Sequence, residues 1–395
     1  MDGVSLAEVR HWDKTDPLRD QRDLFALPDG VIYLDGNSLG PLPHATRDRL
    51  ARVVADEWGR GLIRSWDDAG WMAAPARTGA KIAGILGAAP DEVIVADSTS
   101  VILFKLAAAA IAARPGRTKL LTEAGNFPTD RHVLDGLASL LPGLRVVTAP
   151  AAALADALDE DTALLLLCHV HYRSGARHDM AALSAAAQRR GAISLWDVSH
   201  SVGAIPIDVT ASGADMAAGC GYKFLNGGPG APAFAYVARR LHAGLRSPLQ
   251  GWIGHAEPFG FSDLYEPAPG VGRLLSGTPG VLGLAALDSG IDVFLGVDPG
   301  LLWAKSARLF DLFADLAAAN CPHLSVLTPA EPACRGSHIS FRCTNAAAIM
   351  RALIVRGIIG DFRPPDVLRF GLTPLYMRYE DVWRTVDALR ALEAA

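Results

Sequence analysis

Residues 217–234 read "AAGCGYKFLNGGPGAPAF". One lysine, Lys223, follows a tyrosine, Tyr222, and glycines surround the pair at 219, 221, 227, 228 and 230. Lysine occurs only six times in the chain, at 14, 81, 105, 119, 223 and 305, while lysine and arginine together number 37. A chain that takes arginine wherever a positive charge suffices keeps lysine where an amine is needed, because only lysine can lose its proton or form an imine. A surface lysine in a glycine-rich turn is the alternative, and the flanking sequence decides between them.

The flanks alternate strand and helix. "DEVIVADSTS" (91–100) reads as a strand with a polar end, and "VILFKLAAAAIAARPG" as a helix stopped by Pro115-Gly116. The same alternation continues through "TKLLTEAGNFPTDRHVLDGLASLL", the strand "LRVVTAP", the expected helix "AAALADALDE", the apolar strand "TALLLLC", the helix "DMAALSAAAQRRG" and the strand "AISLWD". Near-continuous apolar strands between helices predict a mostly parallel sheet covered on both faces, an α/β fold. After residue 280 the pattern becomes a mixture of amphipathic helices and short strands. The expected organisation is a large domain over 51–285, a smaller α+β domain over 286–395, and an N-terminal segment, 1–50, folded onto the smaller domain.

Composition narrows the function. The chain has 395 residues, half of them hydrophobic and a fifth charged, with a net charge of −5. No basic stripe suggests nucleic acid. The longest apolar runs are too short to span a bilayer, and the charged N-terminus lacks the apolar core of a secretory leader. The five cysteines form no CxxC pair, so reduced thiols, a cytoplasmic location and no metal site are expected.

In a parallel sheet, ligands sit beyond the carboxyl ends of the strands. Four polar clusters fall there. Thr99 and Ser100 open a helix, a place suited to phosphate or to an ordinary cap. "FPTD" (127–130) sets Phe127 and Asp130 at a second strand end. "WDVSH" (196–200) ends an apolar strand at Asp197, whose charge needs a cationic partner, with His200 three residues on. Lys223 comes 26 residues after Asp197. A phosphate cradle, an aromatic, a buried aspartate and a lysine together describe pyridoxal phosphate, whose protein signature is a Schiff-base lysine and an acidic partner for the ring nitrogen.

With these residues in place, the chain resembles the kynureninases, fold-type-I pyridoxal-phosphate enzymes. The segments that carry the resemblance are "YLDGNSLGPLP" (33–43), "IRSWDDAGW" (63–71), "DSTSV" (97–101), "FPTDRHV" (127–133), "WDVSHSVGAIPIDV" (196–209), "ADMAAGCGYKFLNGGPGAPAF" (214–234), "GWIGH" (251–255), "SGTPGVLGL" (276–284) and "RFGLTPLY" (369–376). The resemblance implies hydrolysis of L-kynurenine, or its 3-hydroxy form, to the anthranilate and L-alanine, in tryptophan degradation or NAD synthesis. It implies that Lys223 anchors the cofactor, Asp197 pairs with its ring nitrogen, and His200 lies at its polar edge. Phe127 would stack on the ring beside Asp130. Thr99, Ser100 and Tyr222 would hold the phosphate, and Tyr222 would also relay protons. Trp252 and Thr278 would come from the other subunit of a homodimer. Arg369 would clamp the substrate carboxylate, and Ser38 and Trp66 would line the pocket for its aromatic ring.

Two positions depart from that family. Ile102 stands where an asparagine is usual, and is expected to face the helix interior. Cys168 stands where a hydroxyl is usual, which weakens its expected hydrogen bond to the cofactor. A cysteine desulfurase, a selenocysteine lyase, a class-V aminotransferase and a non-catalytic binding protein of the same fold are the alternatives.

Overall fold

A computed structural model describes residues 3–393. Its elements run α1 (Leu6–Thr15), β1 (Ile32–Tyr33), α2 (His44–Arg52), α3 (Ala74–Leu86), β2 (Val93–Ala96), α4 (Thr99–Ala112), β3 (Lys119–Glu123), α5 (Pro128–Leu140), β4 (Arg145–Ala149), β5 (Thr162–Cys168), α6 (Met180–Arg189), β6 (Ile193–Asp197), β7 (Met216–Cys220) and β8 (Ala233–Val237). The chain continues through α7 (Val281–Ile291), α8 (Pro299–Asn320), β9 (Ser325–Val326), β10 (His338–Arg342), α9 (Ala346–Val355), β11 (Ile358–Ile359), β12 (Asp361–Arg363), β13 (Val367–Gly371) and α10 (Tyr379–Glu393).

β2 through β8 make one seven-stranded sheet in the order β2-β8-β7-β6-β5-β3-β4. Its pairs are parallel except for β8, which runs antiparallel to both β2 and β7. The apolar run of β5 shows why both faces are covered. Leu165 and Leu167 point into a core shared with Ile82, Leu86 and Leu287, while Leu164 and Leu166 point into a second core with Leu103, Leu106 and Leu134. Alternate side chains of a strand face opposite ways, so a strand leucine-rich throughout needs a helical layer on each side. Ile102 lies fully buried in the second core, where an apolar side chain packs without an unmet polar group.

The expected helix at 151–160 does not form. Only Ala151–Ala153 makes a short 3-10 turn. The segment is ten residues long, follows Pro150, and is held at its far end by Asp159, which receives the hydroxyl of Thr162 at 2.8 Å. Burial of Leu154 and Leu158 anchors it without a full helix.

The second sheet has four strands in the order β12-β13-β10-β9, all antiparallel. It packs with α8 and α10 around Phe313, Phe341 and Phe370. The N-terminal residues join this unit. The Asp13 carboxylate accepts the amides of Tyr379 and Glu380 at the start of α10 (2.7 and 3.0 Å), and β1 pairs in parallel with β11. Leu287 and Ile291 of α7 pack instead in the core of the large sheet. Among the described residues no helix is long and apolar enough to cross a membrane.

Candidate active site

Three neighbouring strands of the large sheet end side by side. β5 ends at Cys168, directly opposite Asp197 at the end of β6, and β7 ends at Cys220, two residues short of Tyr222. The carboxyl ends thereby bring Cys168, Asp197 and the Tyr222-Lys223 pair to one edge. Lys223 Nζ lies 2.9 Å from Nε2 of His200 and 5.9 Å from the centroid of the Phe127 ring. Burial, then Lys223, hold the His200 imidazole well below its usual range, so it is neutral and its Nε2 can accept a hydrogen bond from the lysine. Its Nδ1 has no partner in this structure.

Asp197 is buried and accepts the amide of Ser199 at 2.8 Å. Asp130, at the start of α5, faces it. Cys168 Sγ stands between them, 3.3 Å from Asp130 Oδ2 and 3.8 Å from Asp197 Oδ2. Burial, then the charge of Asp197, raise the Asp130 carboxyl well above the carboxylate range. Burial, then Asp130, raise the Cys168 thiol as well. The thiol therefore keeps its proton and donates to Asp130. The three ligand atoms lie within 4.8 Å of one another, a spread that a metal ion could span. Within that spread the Cys168 thiol contacts both carboxyls.

Two glycines here are set by packing. A Cβ on Gly221 would stand 2.4 Å from the carbonyl oxygen of Pro232 and press on Leu287, and one on Gly40 would stand 2.4 Å from the carbonyl oxygen of Lys223. Close packing of the chain against itself is what excludes side chains there. The Gly40 amide donates to the carbonyl of Tyr222 at 2.8 Å. The "GNSLG" loop is thus laid across the lysine turn, which carries Ser38 to the far side.

There Ser38 meets Arg369. The buried guanidinium donates from Nη2 to Ser38 Oγ at 2.9 Å and to Asp361 Oδ2 at 2.5 Å, and from Nη1 to the carbonyl of Tyr172 at 2.5 Å. The Tyr172 ring meets Phe127 edge-on at 5.2 Å, and His338 on β10 meets His200 at 5.6 Å. These contacts join the small sheet to the lysine site.

On the other side, Thr99 and Ser98 open α4 without a side-chain cap, leaving backbone amides free. Asp97, Thr99, Tyr222 and Thr278 of the same chain line a cavity of about 650 Å³. Burial, then Cys220, raise the Tyr222 hydroxyl above its ordinary range, so it stays protonated. Ser100 is exposed in the first turn of α4. Trp66 is not with Ser38. It meets Trp71 and Trp252 edge-on at 6.0 and 6.3 Å, and no hydrogen bond or ring contact joins it to Ser38 or Arg369 among the described residues.

Sequence reading passed over Asp361, Arg363, Tyr172, His338 and Lys105. The signal for the first two was present in "GDFRPPDVLRFG" (360–371), where charges interrupt strands bound for a core. Buried His338 has neither ring nitrogen partnered, and nothing in its local sequence marks it.

Comparison with known proteins places the chain. The family model for the kynureninase C-terminal domain matches residues 302–389. The chain is 49% identical to a kynureninase of Deinococcus radiodurans, covering 98% of this chain and 96% of the relative. It is 46% identical to a kynureninase of Pseudomonas fluorescens, covering 95% and 92%. Among solved structures, the apo cysteine desulfurase of Thermococcus onnurineus superposes with a TM-score of 0.81 at 18% identity, covering 99% of each chain. A cysteine desulfurase of Escherichia coli gives 0.80 at 20%, covering both chains entirely. The desulfurases share the fold-type-I architecture of the pyridoxal-phosphate enzymes, and the far closer likeness along almost the whole sequence is to another group within it: this chain belongs to the kynureninase family.

Proposed function

We propose that this protein hydrolyses the Cβ–Cγ bond of L-kynurenine, giving anthranilate and L-alanine, with pyridoxal phosphate as cofactor. The observation that carries the reading is the amine of Lys223, set 2.9 Å from a neutral histidine at the strand edge where Asp197 and Asp130 also end.

The residues fit the cofactor. Lys223 offers the amine for its aldehyde, Asp197 a carboxylate for its ring nitrogen, Phe127 an aromatic face, and the open start of α4 a phosphate cradle. The unpartnered Asp130 Oδ1 and His200 Nδ1 are buried polar atoms that a polar ring edge would satisfy. Bound there, the cofactor supplies an electron sink for a carbanion at the substrate α-carbon.

The chain's own residues do the rest. Lys223 Nζ, when free, takes a proton from the α-carbon, and neutral His200 holds that amine in place by accepting its hydrogen bond. Asp197 favours a proton on the ring nitrogen. Arg369 and Ser38 orient the substrate carboxylate, for which a guanidinium fork is suited. The protonated Tyr222 hydroxyl is a donor for later proton transfers.

The protein works as a homodimer in this reading. Trp58, Leu62, Ile63, Phe259, Phe261 and Leu264 are 58 to 78% exposed, and Phe259 continues the Trp66–Trp252 cluster. Exposed apolar side chains of this size and number fit a subunit interface. Because Trp66 and Trp252 touch within one chain, both would serve the same site across that interface, while the loop of Thr278 also walls the cavity beside Thr99 of its own chain. The reading places the enzyme in the cytoplasm, in tryptophan degradation or NAD synthesis.

A desulfurase would need a mobile nucleophilic thiol. Cys334 is exposed, but its carbonyl accepts the Arg177 amide at 2.8 Å and the next residue, Arg335, bridges to Ala176, which ties the loop down. The test is to supply pyridoxal phosphate with L-kynurenine or with L-cysteine. Equimolar anthranilate and alanine from the first support the reading, and persulfide from the second with no anthranilate overturns it.

A further inference from the structure

Lys105 is fully buried, six residues past Thr99 on α4. Its Nζ donates to Asp97 Oδ2 at 2.6 Å, to the carbonyl of Leu274 at 2.6 Å and to Ser276 Oγ at 2.7 Å. An ammonium has three protons, and all three are taken. Lys105 therefore cannot itself touch a ligand. What it does touch are two walls of one cavity: Asp97 at the end of β2, and the 274–278 loop that brings Thr278 opposite Thr99.

The backbone at both walls needs holding. Asp97 has a φ of +49°, a left-handed conformation that is uncommon outside glycine. The loop is braced further by Ser276, whose hydroxyl donates to the Leu249 carbonyl at 2.9 Å. The Ser276 carbonyl in turn accepts the Ile253 amide at 3.2 Å, next to Trp252. One buried lysine thus ties Asp97, just before the α4 cap, to the loop that carries Thr278 and through it to the loop that carries Trp252.

The charges give a second reason. Asp97 is a carboxylate on the wall of a cavity suited to a phosphate. A bare carboxylate beside a dianion is repulsive, and Lys105 neutralises it at 2.6 Å. We infer that Lys105 is a positioning residue for the phosphate subsite: it fixes the two walls and cancels the charge of Asp97. This rests on the pyridoxal-phosphate reading.

The test compares binding of pyridoxal phosphate and of pyridoxal, which lacks the phosphate, to apo protein by quenching of tryptophan fluorescence. Lys105→Met should weaken pyridoxal phosphate roughly tenfold or more, the scale of lost charge-assisted hydrogen bonds, and leave pyridoxal unchanged. Adding Asp97→Asn should recover part of the loss. If Lys105→Met does not fold, Ser276→Ala, which removes one uncharged partner, should still weaken pyridoxal phosphate about threefold and spare pyridoxal. Equal losses for both compounds, or none for either, would overturn the inference. Parent protein that binds neither compound overturns the cofactor reading and this inference together.

Discussion

Asp361 Oδ2 stands 2.5 Å from Nη2 of Arg369 and 2.6 Å from Nη2 of Arg363. One carboxylate thus holds two guanidiniums beside Ser38, the end of the site that the reading gives to the substrate carboxylate. Replacing Arg369 by alanine should raise KM for L-kynurenine roughly ten- to a hundredfold, the range for hydrogen bonds to a charged group. The effect on kynurenine amide should be much smaller. Steady-state kinetics on the two compounds decide it, and equal losses would remove the clamp.

Asp35 faces the same cluster. Burial, then the charge of Asp361, push its carboxyl up to about 6, whereas a free aspartate ionises near ~3.9. Between those values the folded protein binds more protons than the unfolded chain. The stability this group contributes is present below the lower value and is lost as pH rises through the upper one. Asp35→Asn should therefore raise Tm, relative to the parent, more at about pH 8 than at about pH 4. Thermal melts that show the same difference at both would contradict this.

Asp130 and Asp197 should respond differently to amidation. Asp130 is held in its neutral form by burial and by Asp197, and asparagine imitates a neutral carboxyl. Asp130→Asn should therefore cost less than about tenfold in kcat. Asp197→Asn removes the charge expected at the ring nitrogen and should cost at least ~100-fold, the lower range for a group that governs proton placement. Comparable losses in the two variants would strip Asp197 of its special role.

The exposed ring of Phe261 lies 6.4 Å from Phe259 on the apolar surface assigned to the dimer. A buried charge without a partner is costly, so Phe261→Asp should shift the protein toward monomer in sedimentation while its circular dichroism stays unchanged. Sedimentation identical to the parent would place the interface elsewhere.

The sequence showed what short range determines. The ends of β5 and β6 were legible because an apolar run stops at one polar residue, and Lys223 because an amine stands out among arginines. The Ser38–Asp361 and Ser38–Arg369 contacts join residues 323 and 331 positions apart. No local pattern encodes them, since they depend on the N-terminal loop crossing the lysine turn and on the β12–β13 pairing. Lys105 reads as one more residue of a helix until the 274–278 loop is folded against it. The alanine-rich stretch at 151–160 misled because helix propensity is a weak prior for a ten-residue piece.

The identity of the anchoring amine tests the central claim most directly. The protein is loaded with pyridoxal phosphate, reduced with borohydride to fix the cofactor to its lysine, digested and mapped by mass spectrometry. The account predicts a phosphopyridoxyl group on Lys223 alone among the six lysines. A label on any other lysine, or none at all, would contradict it.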